Sequence, residues 1–371
     1  MSLHFALKSC YLPAIGRALR ADGHGVEIMS DLEWRLARRL GFTPDQVVAN
    51  SPARSVQHRR ELMSGGAALI GVDSAEELER VEQEARLQDK LARIAIRINP
   101  LDEPGAFFTA GAKLGADLDT AADLVARALA SPWCDVAALH AHQLRHCTDP
   151  GLFYRMVRGL AEVAAETAPR ERPFPALNLG GGLESRFLLE RSGSDADQLA
   201  DAAREAMDIL PALPSVLLEP GRFVVGDAAV GFSSVIGEKR NSSEKWIISD
   251  ISSNMLIPLP DLAYHPVPLR LDPTAMWESV HTGDATCAPS HLCRDAYLPN
   301  TTERDGFAVL NCGAYTSVYA ELWAFPLPRI GVLENQRMSE VFGPAQEAAM
   351  FRALYGTDEL LRSSPAVLDE A

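Results

Sequence analysis

Eight short apolar, β-branched runs recur through the first 225 residues, and stretches with helical spacing lie between them. The runs are LHFAL (3–7), GVEIM (25–29), QVVAN (46–50), AALIGV (67–72), RIAIRI (93–98), VAALHAH (136–142), PALNL (175–179) and SVLLE (215–219). A strand covered on both faces reads as such a continuous run. Helical spacing is clear over 31–40, 75–87, 118–129, 152–168 and 195–210. Ser30-Asp31 and Asp73-Ser74 supply start signals of the capping type. Eight strands joined by helical crossovers is the count of a (β/α)8 barrel, over a length near the usual ~250 residues. A doubly wound open sheet is the alternative, although such sheets more often have fewer strands and a nucleotide loop after the first.

After Arg222 the pattern changes. Strand-like runs (FVVGDAAVGFSSVIG, KWIISDI, GFAVLNCGAY) alternate with Pro- and Gly-rich turns, and a helical pattern returns only over 343–361. The expected fold is therefore α/β: a TIM-type (β/α)8 barrel over 1–225, then a mainly β domain, sandwich or Greek-key-like, over 226–371 with short terminal helices. The formal net charge of −15 argues against binding a nucleic-acid backbone or an anionic membrane. No apolar stretch reaches the roughly 18 residues of a membrane span, and the first residues lack a signal-peptide layout. Six scattered cysteines without a CxxC pair read as free thiols in a reducing cytoplasm, with no cysteine zinc site.

In a (β/α)8 barrel the chemistry sits at the C-terminal ends of the strands. A lysine as near a terminus as Lys8 would by itself read as a solvated end. At the end of strand one it instead joins Glu27 on strand two, Arg97 on strand five, His140 and His142 on strand six, Gly180-Gly181-Gly182 after strand seven, and Glu219 with Arg222 after strand eight. The triple glycine is either a flexible loop or an anion cradle of backbone N–H groups, and the loops after strands seven and eight are the usual phosphate site of this barrel. Arg222 can add a forked guanidinium to the same phosphate. A lysine, a carboxylate, a histidine ring and a phosphate site together suit pyridoxal 5'-phosphate. The lysine forms a Schiff base, and the carboxylate keeps the pyridine nitrogen protonated so that the ring acts as an electron sink.

These residues resemble the fold-type III, pyridoxal-phosphate-dependent ornithine, diaminopimelate and arginine decarboxylases (group IV), of which the chain looks like a divergent member. FALKS at 5–9 is similar to that family's Y-A-x-K-A segment, LHAHQ at 139–143 to its histidine strand, and LNLGGG at 177–182 to its D-x-G-G-G loop. LEPGR at 218–222 matches E-P-G-R, GDATC at 283–287 resembles G-P-x-C, and CGAYTS at 312–317 matches G-A-Y, all in family order. The resemblance implies a decarboxylase of an amino acid or amino-acid conjugate. It makes Lys8 the Schiff-base lysine, stacks His142 on the cofactor ring, gives Glu219 the pyridinium, and puts Gly180, Gly181, Gly182, Arg222 and Tyr315 on the phosphate. Cys287 becomes the proton donor to the carbanion, lent across a homodimer with shared sites. Glu219, where alanine racemases carry an arginine, favours decarboxylation over racemisation.

Some positions depart from that pattern. Leu144-Arg145 stands in place of a G-S pair whose serine touches phosphate, so Arg145 either replaces that contact, binds an acidic group of the substrate, or is solvated. Ala288 follows Cys287 where an acidic residue grips the distal amine of ornithine, and Trp323-Ala324 replaces an F-N pair. The expected substrate therefore differs from ornithine or lysine and carries a distal carboxylate or a conjugated group, with Arg145 and His291 as its candidate contacts. Only seven residues precede Lys8, fewer than the resemblance implies, and a misassigned start is expected. Two rivals remain. One is a catalytically degenerate paralogue with a binding or regulatory role. The other is a metal-dependent hydrolase built on the His140-x-His142 pair with His146, for which the further ligands are not evident.

Overall fold

A computed structural model describes residues 1–356 except 104, 105, 110, 170, 171, 243, 257–263, 273, 290, 303, 304 and 324. Ser290, Ala324 and the end of the expected C-terminal helix beyond 356 thus lie outside the described residues. The chain divides into two compact units. One comprises Met1–Val230 with Asn311–Val318, and the other comprises Gly231–Leu310 with Tyr319–Ala371.

The first unit is a closed barrel of eight parallel strands in sequential order. They are β1 (Ser2–Ala6), β2 (Gly25–Ile28), β3 (Val47–Ala49), β4 (Leu69–Val72), β5 (Ala92–Arg97), β6 (Cys134–His140), β7 (Ala176–Asn178) and β8 (Ser215–Leu218). Each coincides with one of the apolar runs, and β8 closes on β1 through the Leu217–Ser2 and Leu218–Leu3 register. Alternation along the strands sorts the core into two clusters. Val47, Ala49, Ile94, Ile96 and Leu139 pack with the helices. Val48, Leu69, Ala95, Ala138, Ala176 and Leu217, of opposite parity, form a separate cluster joined by Ala137, as expected of a filled barrel interior.

The expected helices are present at Asp31–Arg39, Ala75–Leu87, Leu118–Ala130, Pro150–Thr167 and Ala196–Ala206. Ser30 and Ser74 cap the first two by accepting from the backbone N–H of Glu33 and Glu77, both at 3.2 Å. Helices at Pro13–Ala21, Val56–Gly65 and Arg186–Arg191 complete the crossovers. The first part of the run FVVGDAAVGFSSVIG is not a strand. Arg222–Val225 is a helical turn, and Gly226–Ala228 continues it as 3-10. The N–H groups of Val224 and Val225 bond back to the Gly221 carbonyl at 3.0 and 3.2 Å, and Val225 is buried in the barrel core. A short apolar run does not by itself distinguish a strand from a buried helical turn.

The second unit is mainly β. Six strands, β9 (Gly231–Asn241), β10 (Glu244–Ser249), β11 (His265–Pro268), β12 (Trp277–Asp284), β13 (Cys293–Pro299) and β14 (Gly306–Leu310), form one mixed sheet in the order β11-β14-β9-β10-β12-β13. β15 (Ile330–Glu334) and β16 (Arg337–Phe342) form a separate antiparallel pair, followed by a helix at Pro344–Tyr355. Among the described residues no helix is long and apolar enough to cross a membrane.

Candidate active site

Seven of the eight barrel strands deliver polar side chains to the site at or just after their ends. Lys8 sits in the 3-10 turn Leu7–Ser9, directly after β1. The Ala6–Glu27 register of β1 and β2 sets Glu27 beside it, and the Lys8 ammonium donates to Glu27 Oε2. Burial opposes the charge on Lys8, but Glu27, Tyr315 and Glu219 outweigh it and hold the amine above its usual range. The Glu27 carboxyl is itself pushed up to about 7. Burial is the main cause and Glu219 adds to it, while Lys8 pulls the other way.

Glu219 follows β8 and is almost fully buried. Its Oε1 accepts from the side-chain amides of Asn50, after β3, at 2.6 Å and Asn178, at the end of β7, at 2.5 Å. Its Oε2 faces His140 Nε2 at 3.6 Å and His142 Nδ1 at 3.9 Å. Burial alone would raise this carboxyl, yet His140, His142 and the Asn178 amide hold it well below the usual range. Burial also pushes His140 down to about 3, so at neutral pH that ring is a neutral dipole beside a carboxylate, not a counter-cation. His142 is lowered for the same first reason, desolvation. Arg97, at the end of β5, donates through Nη2 to the His142 carbonyl at 3.0 Å and lies over the Phe108 ring at 5.6 Å. Its Nε is buried without a partner.

The triple glycine has no room for side chains. Gly182 sits at φ +89°, and a Cβ there would run into the Leu144 carbonyl oxygen, while one on Gly181 would meet the Glu219 carbonyl oxygen. The loop is therefore set tightly between the β6 and β8 ends, with backbone as its lining. Arg222 begins the turn after Gly221, and its guanidinium lies over the Tyr315 ring at 5.3 Å. Tyr315, more than 300 positions from β1 in sequence, belongs to the barrel unit, where its N–H bonds to the Ser9 carbonyl at 2.8 Å. The Nη1 of Arg222 is buried and unpartnered.

Two expected residues lie in the other unit. Cys287 is an exposed free thiol there, and His291 packs against Trp246 with ring centroids 4.5 Å apart. Arg145 is exposed, and its guanidinium covers the Phe107 ring at 4.9 Å. Sequence reasoning missed Asn50 and Asn178 as partners of Glu219. Their signal was available: an amide closing an otherwise apolar barrel run needs a buried partner. It also missed Glu184, which holds His146 and Arg222 and carries no local signal. His140, His142 and Glu219 bring three potential ligand atoms within 4.8 Å.

The donor set fits pyridoxal phosphate. A lysine amine, an ionised buried carboxylate and a histidine ring meet a backbone-lined glycine loop, and two buried guanidinium N–H groups still want acceptors.

Comparison with known proteins agrees with this geometry. Residues 1–226 match the family model for the pyridoxal-dependent decarboxylase, pyridoxal binding domain. A diaminopimelate decarboxylase of Aquifex aeolicus is 24% identical over 318 residues, 84% of this chain and 75% of that protein. The L-glutamyl-[BtrI acyl-carrier protein] decarboxylase of Niallia circulans is 24% identical over 343 residues, 85% of this chain and 78% of that protein. The crystal structure of diaminopimelate decarboxylase from M. jannaschii superposes with a TM-score of 0.84 at 23% identity, covering 95% of this chain and 84% of that one, and speaks for the fold. The hydrolase and degenerate-paralogue readings give way to a carboxy-lyase. The chain belongs to the pyridoxal-dependent decarboxylases, as a divergent amino-acid decarboxylase that uses pyridoxal 5'-phosphate.

Proposed function

We propose that this enzyme removes the α-carboxylate of an amino acid or amino-acid conjugate with an anionic distal group, using Lys8 as the cofactor anchor. The bound cofactor supplies an aldehyde for the amines and a protonated ring that withdraws electrons from the reacting carbon. The observation that carries the reading is the meeting of Lys8, Glu27 and Glu219 beside the glycine loop in one barrel unit. Lys8 must lose a proton before its nitrogen can attack. Glu27 already accepts from that Nζ, and a carboxyl near pH 7 is suited to take the proton and return it. Glu219 keeps its charge for the ring nitrogen because two amides bond Oε1 while Oε2 faces the His140 and His142 rings. His142 stacks on the ring, and Arg97 secures it through the His142 carbonyl. The glycine loop, Arg222 and Tyr315 take the phosphate.

Cys287, an exposed thiol, donates the proton that replaces the lost carboxylate, and it does so in the site of a second subunit of a homodimer. The protein works in the cytoplasm, where its six free thiols remain reduced. Arg145, braced on Phe107, and His291 contact the distal end of the substrate. Ala288 in place of an acidic residue argues against a distal amine. The carrier-bound glutamyl substrate named for the Niallia circulans relative is of the conjugated type.

The test is borohydride reduction of the purified enzyme followed by peptide mass analysis. The cofactor adduct is expected on Lys8 and absent from Lys8→Ala. An adduct on another lysine, or none in the wild type, ends the reading. For the substrate, carbon dioxide release is compared for lysine, ornithine, diaminopimelate, glutamate and a glutamyl thioester. Arg145→Ala is expected to lower kcat/KM by roughly 10-fold or more for the anionic substrates only.

A further inference from the structure

Two members of one buried charged cluster in the barrel unit, Glu184 and His146, have no part in the chemistry above. Glu184 stands two residues beyond Gly182, with its side chain 3% exposed. Its Oε1 forms an ion pair with Arg222 Nε at 3.3 Å and contacts His146 Nδ1, and its Oε2 accepts from the Ser185 N–H at 3.0 Å. The three side chains come from the segments after β6, β7 and β8. Backbone bonds bind the first two segments together: the Cys147 N–H to the Gly182 carbonyl at 2.8 Å, and the Glu184 N–H to the Cys147 carbonyl at 3.1 Å. His146 itself adopts φ +51°, a left-handed conformation that costs energy for a residue with a Cβ.

A buried carboxylate beside an anion site is costly unless its charge is used. Here the charge fixes an arginine. A guanidinium is a rigid plane, so holding Nε and covering one face determines where the other nitrogens point. Glu184 holds Nε and the Tyr315 ring covers a face at 5.3 Å. Of the remaining nitrogens, Nη1 is buried and without an acceptor. An orphaned buried donor on a clamped guanidinium marks the place of a missing acceptor.

We propose that Glu184 and His146 are positioning residues that lock Arg222 for the cofactor phosphate: His146 holds Glu184, Glu184 holds Arg222, and Arg222 Nη1 is presented to the anion. This rests on the assignment of Arg222 to the phosphate in the preceding section. The pair touches neither substrate nor the reacting atoms, so its effect is on phosphate recognition and not on the rest of the cofactor.

The experiment titrates enzyme freed of cofactor with pyridoxal phosphate and, separately, with pyridoxal, which lacks the phosphate, and follows each by absorbance. Glu184→Ala is expected to weaken pyridoxal phosphate by roughly 10- to 100-fold while changing pyridoxal less than about 2-fold. Glu184→Gln, which keeps an acceptor for Nε, recovers part of the loss. His146→Gly, which relieves the left-handed backbone while deleting the ring, weakens pyridoxal phosphate by roughly 3- to 10-fold. If Glu184→Ala does not fold, the other two variants carry the comparison. Equal weakening of both ligands, or no weakening of pyridoxal phosphate, overturns the proposal. A wild-type enzyme that binds both ligands equally would instead overturn the assignment of Arg222 to phosphate.

Discussion

The barrel rim and the β unit both bury polar side chains, but they treat them differently. In the β unit Lys245, Asn254 and Ser249 close on neighbouring groups. Lys245 donates to Glu278 at 2.8 Å and to the Thr301 carbonyl at 3.0 Å, and it pairs with Glu238 at 3.2 Å. Asn254 donates to the carbonyls of Phe325 and Pro326 at 3.0 and 3.2 Å, and the Ser249 hydroxyl lies 2.9 Å from the Ile251 and Gly283 carbonyl oxygens. At the rim, Arg97 Nε, Arg222 Nη1 and both His140 ring nitrogens are buried and unsatisfied. Each such group costs about 1–3 kcal/mol if nothing ever meets it. The satisfied groups of the β unit need no ligand, whereas the unmet groups of Arg97 and Arg222 stand where the cofactor is proposed to bind.

The sharpest way to break this contrast is to remove charge at the rim without removing shape. In Glu219→Gln the side-chain carbonyl can still accept from Asn50 and Asn178, so the barrel is expected to keep its thermal midpoint within a few degrees. The charge that serves the cofactor ring is gone, and kcat should fall by roughly a hundred- to ten-thousand-fold. If the variant instead loses stability and keeps its turnover, the rim carboxylate is structural and the contrast fails.

The opposite result is expected in the β unit. Lys245→Met removes a donor from two partly exposed carboxylates and from a buried carbonyl, for a stability loss of about 2 kcal/mol. Turnover per folded molecule is expected to stay within about 2-fold of wild type, since none of these partners belongs to the barrel unit. A large fall in turnover with unchanged unfolding would show that this network also serves the site.

The barrel was legible because each strand, covered on both faces, is a continuous apolar run, and all eight lie where such runs lie. The helix at Val56–Gly65 was not, because it buries His58 and Arg59 along with Leu62 and Met63, and that mixture hides the periodicity. The strands β12 and β13 likewise lack apolar runs, since WESVHTGD and CRDAYLP bury only some of their residues. The placement of Lys8, Glu27, Arg97, His142, Glu219 and Arg222 at one end of the barrel could be read because a barrel orders strand ends by sequence. The contact of His146 with Glu184 could not. It arises where two crossovers meet, and neither residue differs locally from a solvated charge.

The smallest expected effect tests whether the rim is set for neutral pH. His140 is wholly buried and faces Glu219, with Arg97, His142 and Lys8 also acting on it, and its pKa falls to about 3 from an unfolded value of 6.5. Between these values the unfolded chain binds a proton at this position that the folded protein refuses. Stability from this residue is therefore fully present above about pH 6.5 and is lost as the pH falls below it, by up to about 1.4 kcal/mol per pH unit. His142 is lowered as well, but it is present in both wild type and His140→Gln and contributes equally to each. The stability advantage of wild type over His140→Gln should thus shrink steadily from pH 7 to pH 5 in denaturant titrations. An advantage that stays constant over that range would mean that His140 takes its proton in the fold and sits as a buried cation beside Glu219.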